Sequence, residues 1–185
     1  MAFPYSAGDV LTAANLNSTF GLVHIETFTG TGVSAANFDD VFKRDFDAFS
    51  VVVRLRAMPN NLSMRLRVGG VTSTSANYNW VIHGVSSNGT ALTQNASATT
   101  TFVLQTTNIS STVSRQGCVF DILYPNAADM TTYMGNAQSY NSGGNYWTYN
   151  IGGTNVSASA YDGFTIFPSS GTINHTTSIY GYNNG

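Results

Sequence analysis

Charge is the scarcest commodity in this chain: 9% of its 185 residues are Asp, Glu, Lys or Arg, against a usual figure near 25%. That shortage excludes a coiled coil or helical bundle, whose surfaces are built on Glu, Lys and Arg. Seven basic and nine acidic residues leave a formal net charge of -2, so a nucleic acid or an anionic membrane has little to hold on to. The single cysteine, Cys118, cannot close an intrachain disulfide; a disulfide-stapled scaffold is excluded, and cysteine usage is silent on compartment. No apolar run approaches the ~18 residues of a membrane span. Met1-Ala2-Phe3-Pro4-Tyr5 also lacks the basic and apolar regions of a signal peptide, so the expectation is a protein neither exported by the standard route nor inserted in a membrane.

Chemistry is equally sparse. His24, His83 and His175 lie in separate segments, outside any HExxH-type pairing and with no nearby cysteine to complete a metal set. No Gly-x-Ser-x-Gly elbow and no phosphate-cradling loop occur. Asp45 and Asp47 could share one side of an extended segment and attract a hard cation, but they lack the glycine and terminal glutamate of a calcium loop. Glu26, Asp121, Asp129 and Asp162 are scattered, so no carboxylate pair for glycoside hydrolysis can be assembled. The expectation is no catalytic residue, no metal and no cofactor, with Cys118 a small buried hydrophobe.

What the chain has in abundance is uncharged polarity. Asn, Ser and Thr supply about a third of the residues, far above ordinary usage, beside 42% hydrophobic and 12% aromatic residues that can fill a core. Asn, Ser and Gly favour turns, as at the pairs Gly69-Gly70, Gly143-Gly144 and Gly152-Gly153. Between the turns lie nine segments with period-2 alternation or β-branched and aromatic enrichment. They are His24 to Thr29, Ser50 to Ala57, Ser63 to Val68, Tyr78 to Val85, Thr101 to Thr106, Val119 to Tyr124, Tyr146 to Ile151, Phe164 to Phe167 and Ser178 to Tyr182. Such spacing predicts an all-β fold, an antiparallel β-sandwich of jelly-roll type. Thr12 is placed to cap a short helix running to about Phe20, and Ser34 to cap a helical turn through Ala35, Ala36 and Asn37. The division expected is a docking arm over 1–22 and a sandwich over 23–185.

Two clusters stand out as candidate sites. Val51 to Arg56 and Met64 to Val68 read as a hairpin turning at Pro59-Asn60-Asn61. With Val53, Leu55, Met64, Leu66 and Val68 inside, Arg54, Arg56, Arg65 and Arg67 share the other face. Asp39, Asp40, Asp45 and Asp47 are available to neutralise them, and the face reads either as an anion or subunit site or as a solvated strand surface. Tyr140, Tyr146, Trp147 and Tyr149, set among Asn141, Asn145 and Asn150, have the makings of a glycan platform or of a subunit interface; alternation would also send some of these rings into the core.

Three stretches carry a resemblance. Gly8-Asp9-Val10-Leu11-Thr12-Ala13-Ala14-Asn15-Leu16-Asn17 resembles the N-terminal Gly-x-Val-Leu-Thr-Ala-x-x-Leu-Asn motif of many tailed-bacteriophage virion proteins. Val41-Phe42, Asp45-Phe46-Asp47-Ala48-Phe49 and Leu66-Arg67-Val68-Gly69-Gly70 are similar to a pattern of short fibre-like or collar-like phage proteins. Ser169-Ser170-Gly171-Thr172-Ile173 followed by Ser178-Ile179-Tyr180-Gly181-Tyr182 resembles their C-terminal signature. The resemblance implies a non-enzymatic structural protein of a virion, commonly a homotrimer, with other virion proteins of the capsid, collar or tail as partners. It would dock through the arm residues Val10, Leu11, Thr12, Leu16, Asn17 and Phe20, and a host glycan is the alternative partner. Without a shaft or repeat region, a compact knob or a head-decoration (cement) protein is favoured over a long tail fibre.

Overall fold

The structure, a computed structural model, describes residues 21–57, 60–106, 116–140 and 144–183. Thirteen strands form two antiparallel sheets: β1 (Leu22–Val33), β2 (Ala36–Phe38), β3 (Ala48–Ala57), β4 (Leu62–Val68), β5 (Val71–Thr72), β6 (Tyr78–Ser86), β7 (Ala91–Thr99), β8 (Phe102–Gln105), β9 (Gln116–Leu123), β10 (Thr131–Tyr140), β11 (Tyr146–Asn155), β12 (Gly163–Pro168) and β13 (Ile173–Tyr182). The larger sheet has eight strands in the order β1-β13-β3-β9-β10-β11-β6-β7. The smaller runs β2-β12-β4-β5, with β8 paired to β4.

The chain steps from one sheet to the other through β1, β2, β3 and β4, returns from β8 to β9, and closes through β12 and β13. This is the winding of a jelly roll, as the sequence pattern predicts. The hairpins β6-β7 and β10-β11 are insertions that widen one sheet from four strands to eight.

Alternation fixes what lies between the sheets. From β3, Val51, Val53 and Leu55 point inward, and from β4, Leu62, Met64 and Leu66 do the same. Aromatic rings complete the core: Phe38 lies 4.6 Å from Phe164, and Phe102 lies 4.4 Å from Tyr133. Cys118 is buried among them, and burial pushes its thiol up to about 12.

Several expectations are corrected. The segments read as one hairpin are not paired: β3 belongs to the eight-stranded sheet and β4 to the other, so the chain changes sheets between them. Alternation is satisfied either way, because both strands bury their odd or even set against the same interior. Val68 is exposed, since it borders the Gly69-Gly70 turn into β5, where both glycines take the positive φ of a tight hairpin. Gly152-Gly153 is no turn but the interior of β11; a Cβ on Gly153 would stand 2.2 Å from the Asn79 carbonyl of β6. Ala36 and Asn37 form a strand paired to β12, because Ala36 and Phe38 have a buried face to fill. The helix expected after Thr12 lies outside the described residues.

Candidate functional site

This change of sheets between β3 and β4 separates the four arginines. Arg65 and Arg67 project from the smaller sheet, Arg54 and Arg56 from the opposite side of the molecule. Arg65 covers the Phe167 ring at 4.7 Å and donates to the Thr100 carbonyl at 2.9 Å. Arg67 is buried; its Nε donates to Asp39 Oδ1 at 2.7 Å, and Nη2 also reaches the Gly70 carbonyl. Arg54 and Arg56 are exposed, and neither reaches a carboxylate among the described residues. Asp45 and Asp47 are exposed in the loop ahead of β3, at the far end of that strand from Arg54 and Arg56.

The aromatic cluster divides as well. Trp147 and Tyr149 are inward-facing, their rings parallel and 5.9 Å apart. Tyr149 donates to the Thr106 carbonyl at 2.8 Å. Four rings on one sugar platform are therefore corrected to two, Tyr140 and Tyr146, which meet edge to face at 4.7 Å on the outward side. The docking residues Val10, Leu11, Thr12, Leu16, Asn17 and Phe20 lie outside the described residues.

The histidines sit in ordinary polar contacts. His24 bonds Thr27 at 2.9 Å and His83 bonds Thr93 at 3.1 Å, both on the surface. His175 is buried, bonds Thr177 at 2.9 Å, and is held below its usual pKa by desolvation. Among the described residues no group of three or more His, Cys, Asp or Glu is arranged to hold a metal ion.

The feature that sequence reasoning missed is the outward face of the eight-stranded sheet. Residues paired across a ladder share a face, so the registers place Ser50, Asp121, Met134, Gly152 and Val81 in one row. The next row holds Val52, Val119, Asn136 and Asn150, and the one beyond it Arg54, Gly117, Gln138 and Thr148. The face splits along its length. Towards the start of β3 it is apolar: Leu22, Val119 and Met134 are each about half exposed, with Val81 beside them. Asp121, the acid in this half, is engaged by the Tyr182 phenol, whose pKa is raised first by burial and then by that carboxylate. Towards the end of β3 the face carries Arg54, Arg56, Gln138 and Thr148, with Val85 exposed at the far side of that row, around a recess of about 560 Å³ over Gly117 whose lining also includes Val52 and Val119. Recognising this face required β10, whose run Thr-Thr-Tyr-Met-Gly-Asn-Ala-Gln-Ser-Tyr carries too few apolar residues to announce a strand.

Comparison with known proteins adds no relative: no family model, no curated protein and no solved structure matches the chain.

Proposed function

We propose that the chain is a non-enzymatic structural protein of a tailed-bacteriophage particle: a compact knob, fibre-like or decoration protein that assembles as a homotrimer and attaches to head or tail through residues 1–22. The observation that carries the assembly reading is the apolar half of the outward face. Across eight strands spaced about 4.8 Å apart and some four residues of rise, that half of the face spans on the order of 500 Å², with Leu22, Val81, Val119 and Met134 as its exposed large apolar side chains. The largest apolar patch on a protein of this kind is often functional. Removing its apolar side chains from water contributes roughly 25 cal/mol per Å², and Asp121, the acid in this half, is already engaged by the Tyr182 phenol. The virion assignment rests on the three motif stretches, which lie in order across nearly the whole chain.

Attachment is tested on particles. Antibody against the chain should label purified virions at one morphological position, and a chain lacking residues 1–20 should fold yet fail to incorporate. Absence of the chain from washed particles, or incorporation of the truncated form, would count against the proposal.

A further inference from the structure

The arginine face and the aromatic cluster each lose half their members to the fold, and the halves that remain come together. Arg54 and Arg56 stand two residues apart on β3, facing outward. Two ladders away, Gln138 pairs through Gly117 with Arg54. Tyr140 follows two residues after Gln138 on the same side, paired to Tyr146, which is 65% exposed. From β3 to β11 is three strand spacings, about 14 Å.

Between these groups lies the recess of about 560 Å³, within the usual range of ligand sites. Its floor is bare at Gly117 for a steric reason: a Cβ there would stand 2.0 Å from the Val53 carbonyl oxygen. Arg54 and Arg56 are the charged residues of its lining, and neither lies within ion-pair distance of a carboxylate among the described residues. A smaller recess of about 220 Å³ on the other side of Arg56 is lined by Thr29, Thr31 and Thr176.

We propose that this end of the outward face binds an acidic saccharide, an oligosaccharide carrying a uronic or sialic carboxylate. Arg54 and Arg56 take the carboxylate, for which the planar guanidinium fork is suited. The Gln138 amide meets ring hydroxyls through both its donor and its acceptor. Tyr146, braced edge-on by Tyr140, offers a ring face for the apolar side of a neighbouring sugar. A bare phosphate would use the arginines alone and leave the amide and the rings without a role. A neutral sugar would leave the two cations unpaired. The acidic loop residues Asp40, Asp45 and Asp47 precede β3, at the end of the sandwich away from Arg54 and Arg56; the recess borders the apolar half proposed for assembly and shares Val119 with it.

The test titrates the full chain with a panel of uronic-acid and sialyl oligosaccharides, their neutral counterparts and inorganic phosphate, by calorimetry. Native mass is read on the same samples. The acidic sugars should bind saturably, more weakly as salt rises, and at least about tenfold more tightly than neutral sugar or phosphate. Arg54→Gln with Arg56→Gln should weaken them about tenfold or more. Tyr146→Ala should weaken them too, with the melting transition and native mass unchanged. Binding of no acidic sugar, equal binding of phosphate, or unaltered binding by the arginine variant would overturn the proposal. If the arginine variant instead dissociates the oligomer, the two cations serve the subunit contact and the saccharide assignment is wrong. Failure of sugar binding with an intact oligomer leaves the assembly proposal standing, so the two readings fail separately.

Discussion

The Arg67 guanidinium grips the Asp39 carboxylate with two nitrogens, Nε 2.7 Å from Oδ1 and Nη2 3.2 Å from Oδ2. A third contact, Nη1 to the Thr72 hydroxyl at 2.5 Å, ties the same side chain to β5. The backbone carbonyl of Arg67 also accepts from Asp162 at 3.1 Å. One buried arginine thus joins the end of β2, the β4-β5 turn and the approach to β12. Asp39→Asn should cost about 2 kcal/mol, below the full penalty for stranding a buried charge because the Asp39 side chain is partly exposed. Arg54→Gln, on the open face, should cost less than about 0.5 kcal/mol. Urea unfolding of both variants measures the contrast.

Adjacent glycines in β11 should respond differently to the same substitution. A Cβ on Gly153 would stand 2.2 Å from the Asn79 carbonyl oxygen and 2.7 Å from the Tyr133 ring, whereas one on Gly152 meets nothing nearer than 3.5 Å. Gly153→Ala should therefore destabilise by about 3 kcal/mol or prevent folding, and Gly152→Ala should stay within about 1 kcal/mol of wild type. Equal effects on thermal unfolding would show that the β6-β11 contact is wrongly placed.

Which of these details the sequence could show depends on which physical constraint it encodes. Inward rows such as Val51-Val53-Leu55 follow from period-2 alternation, and the nine apolar strands were legible for that reason. Alternation does not say whether consecutive strands pair or cross between sheets, and this is why a hairpin reading puts Arg65 and Arg67 on one face with Arg54 and Arg56, although the fold separates them. The strands β7 and β10 were illegible because Thr, Asn, Gln, Ser and Ala fill them. β7 forms the sheet edge and needs little beyond backbone pairing, whereas β10 is paired on both sides and sends Tyr133 and Ala137 inward from an otherwise polar run. Trp147 and Tyr149 lie on the face of β11 opposite to Tyr146, and period-2 alternation separates these rings without saying which face meets the core.

Acid should unfold the protein partly through His175. Its folded pKa lies below the usual 6.5 because burial disfavours the cation. At neutral pH both folded and unfolded chains hold the neutral ring, so its contribution is fully present there. As pH falls below about 6.5 the unfolded chain takes up a proton that the folded chain refuses, and stability declines until the folded pKa is passed. His175→Gln should flatten this limb of the stability curve. An unchanged slope would place the acid sensitivity elsewhere.

Cys118 gives the opposite sign at the alkaline side. The unfolded thiol ionises near 9.0, while the buried one holds its proton to about 12. Stability should therefore fall as pH rises across that interval. Iodoacetamide at pH 8.5 should leave the folded chain unlabelled and modify it only after denaturant is added, read by intact mass; labelling of the folded chain would show Cys118 to be accessible.

The central claim, that the apolar half of the outward face is covered by copies of the chain, is tested most directly by the native mass of the intact protein at micromolar concentration, beside that of Met134→Glu. Met134 is half exposed in that face and its substitution leaves the core untouched. The account predicts three times the 19.7 kDa chain mass for the wild type and a shift to folded monomer for the variant. A wild type that stays monomeric, or a Met134→Glu chain that remains a trimer, would contradict it.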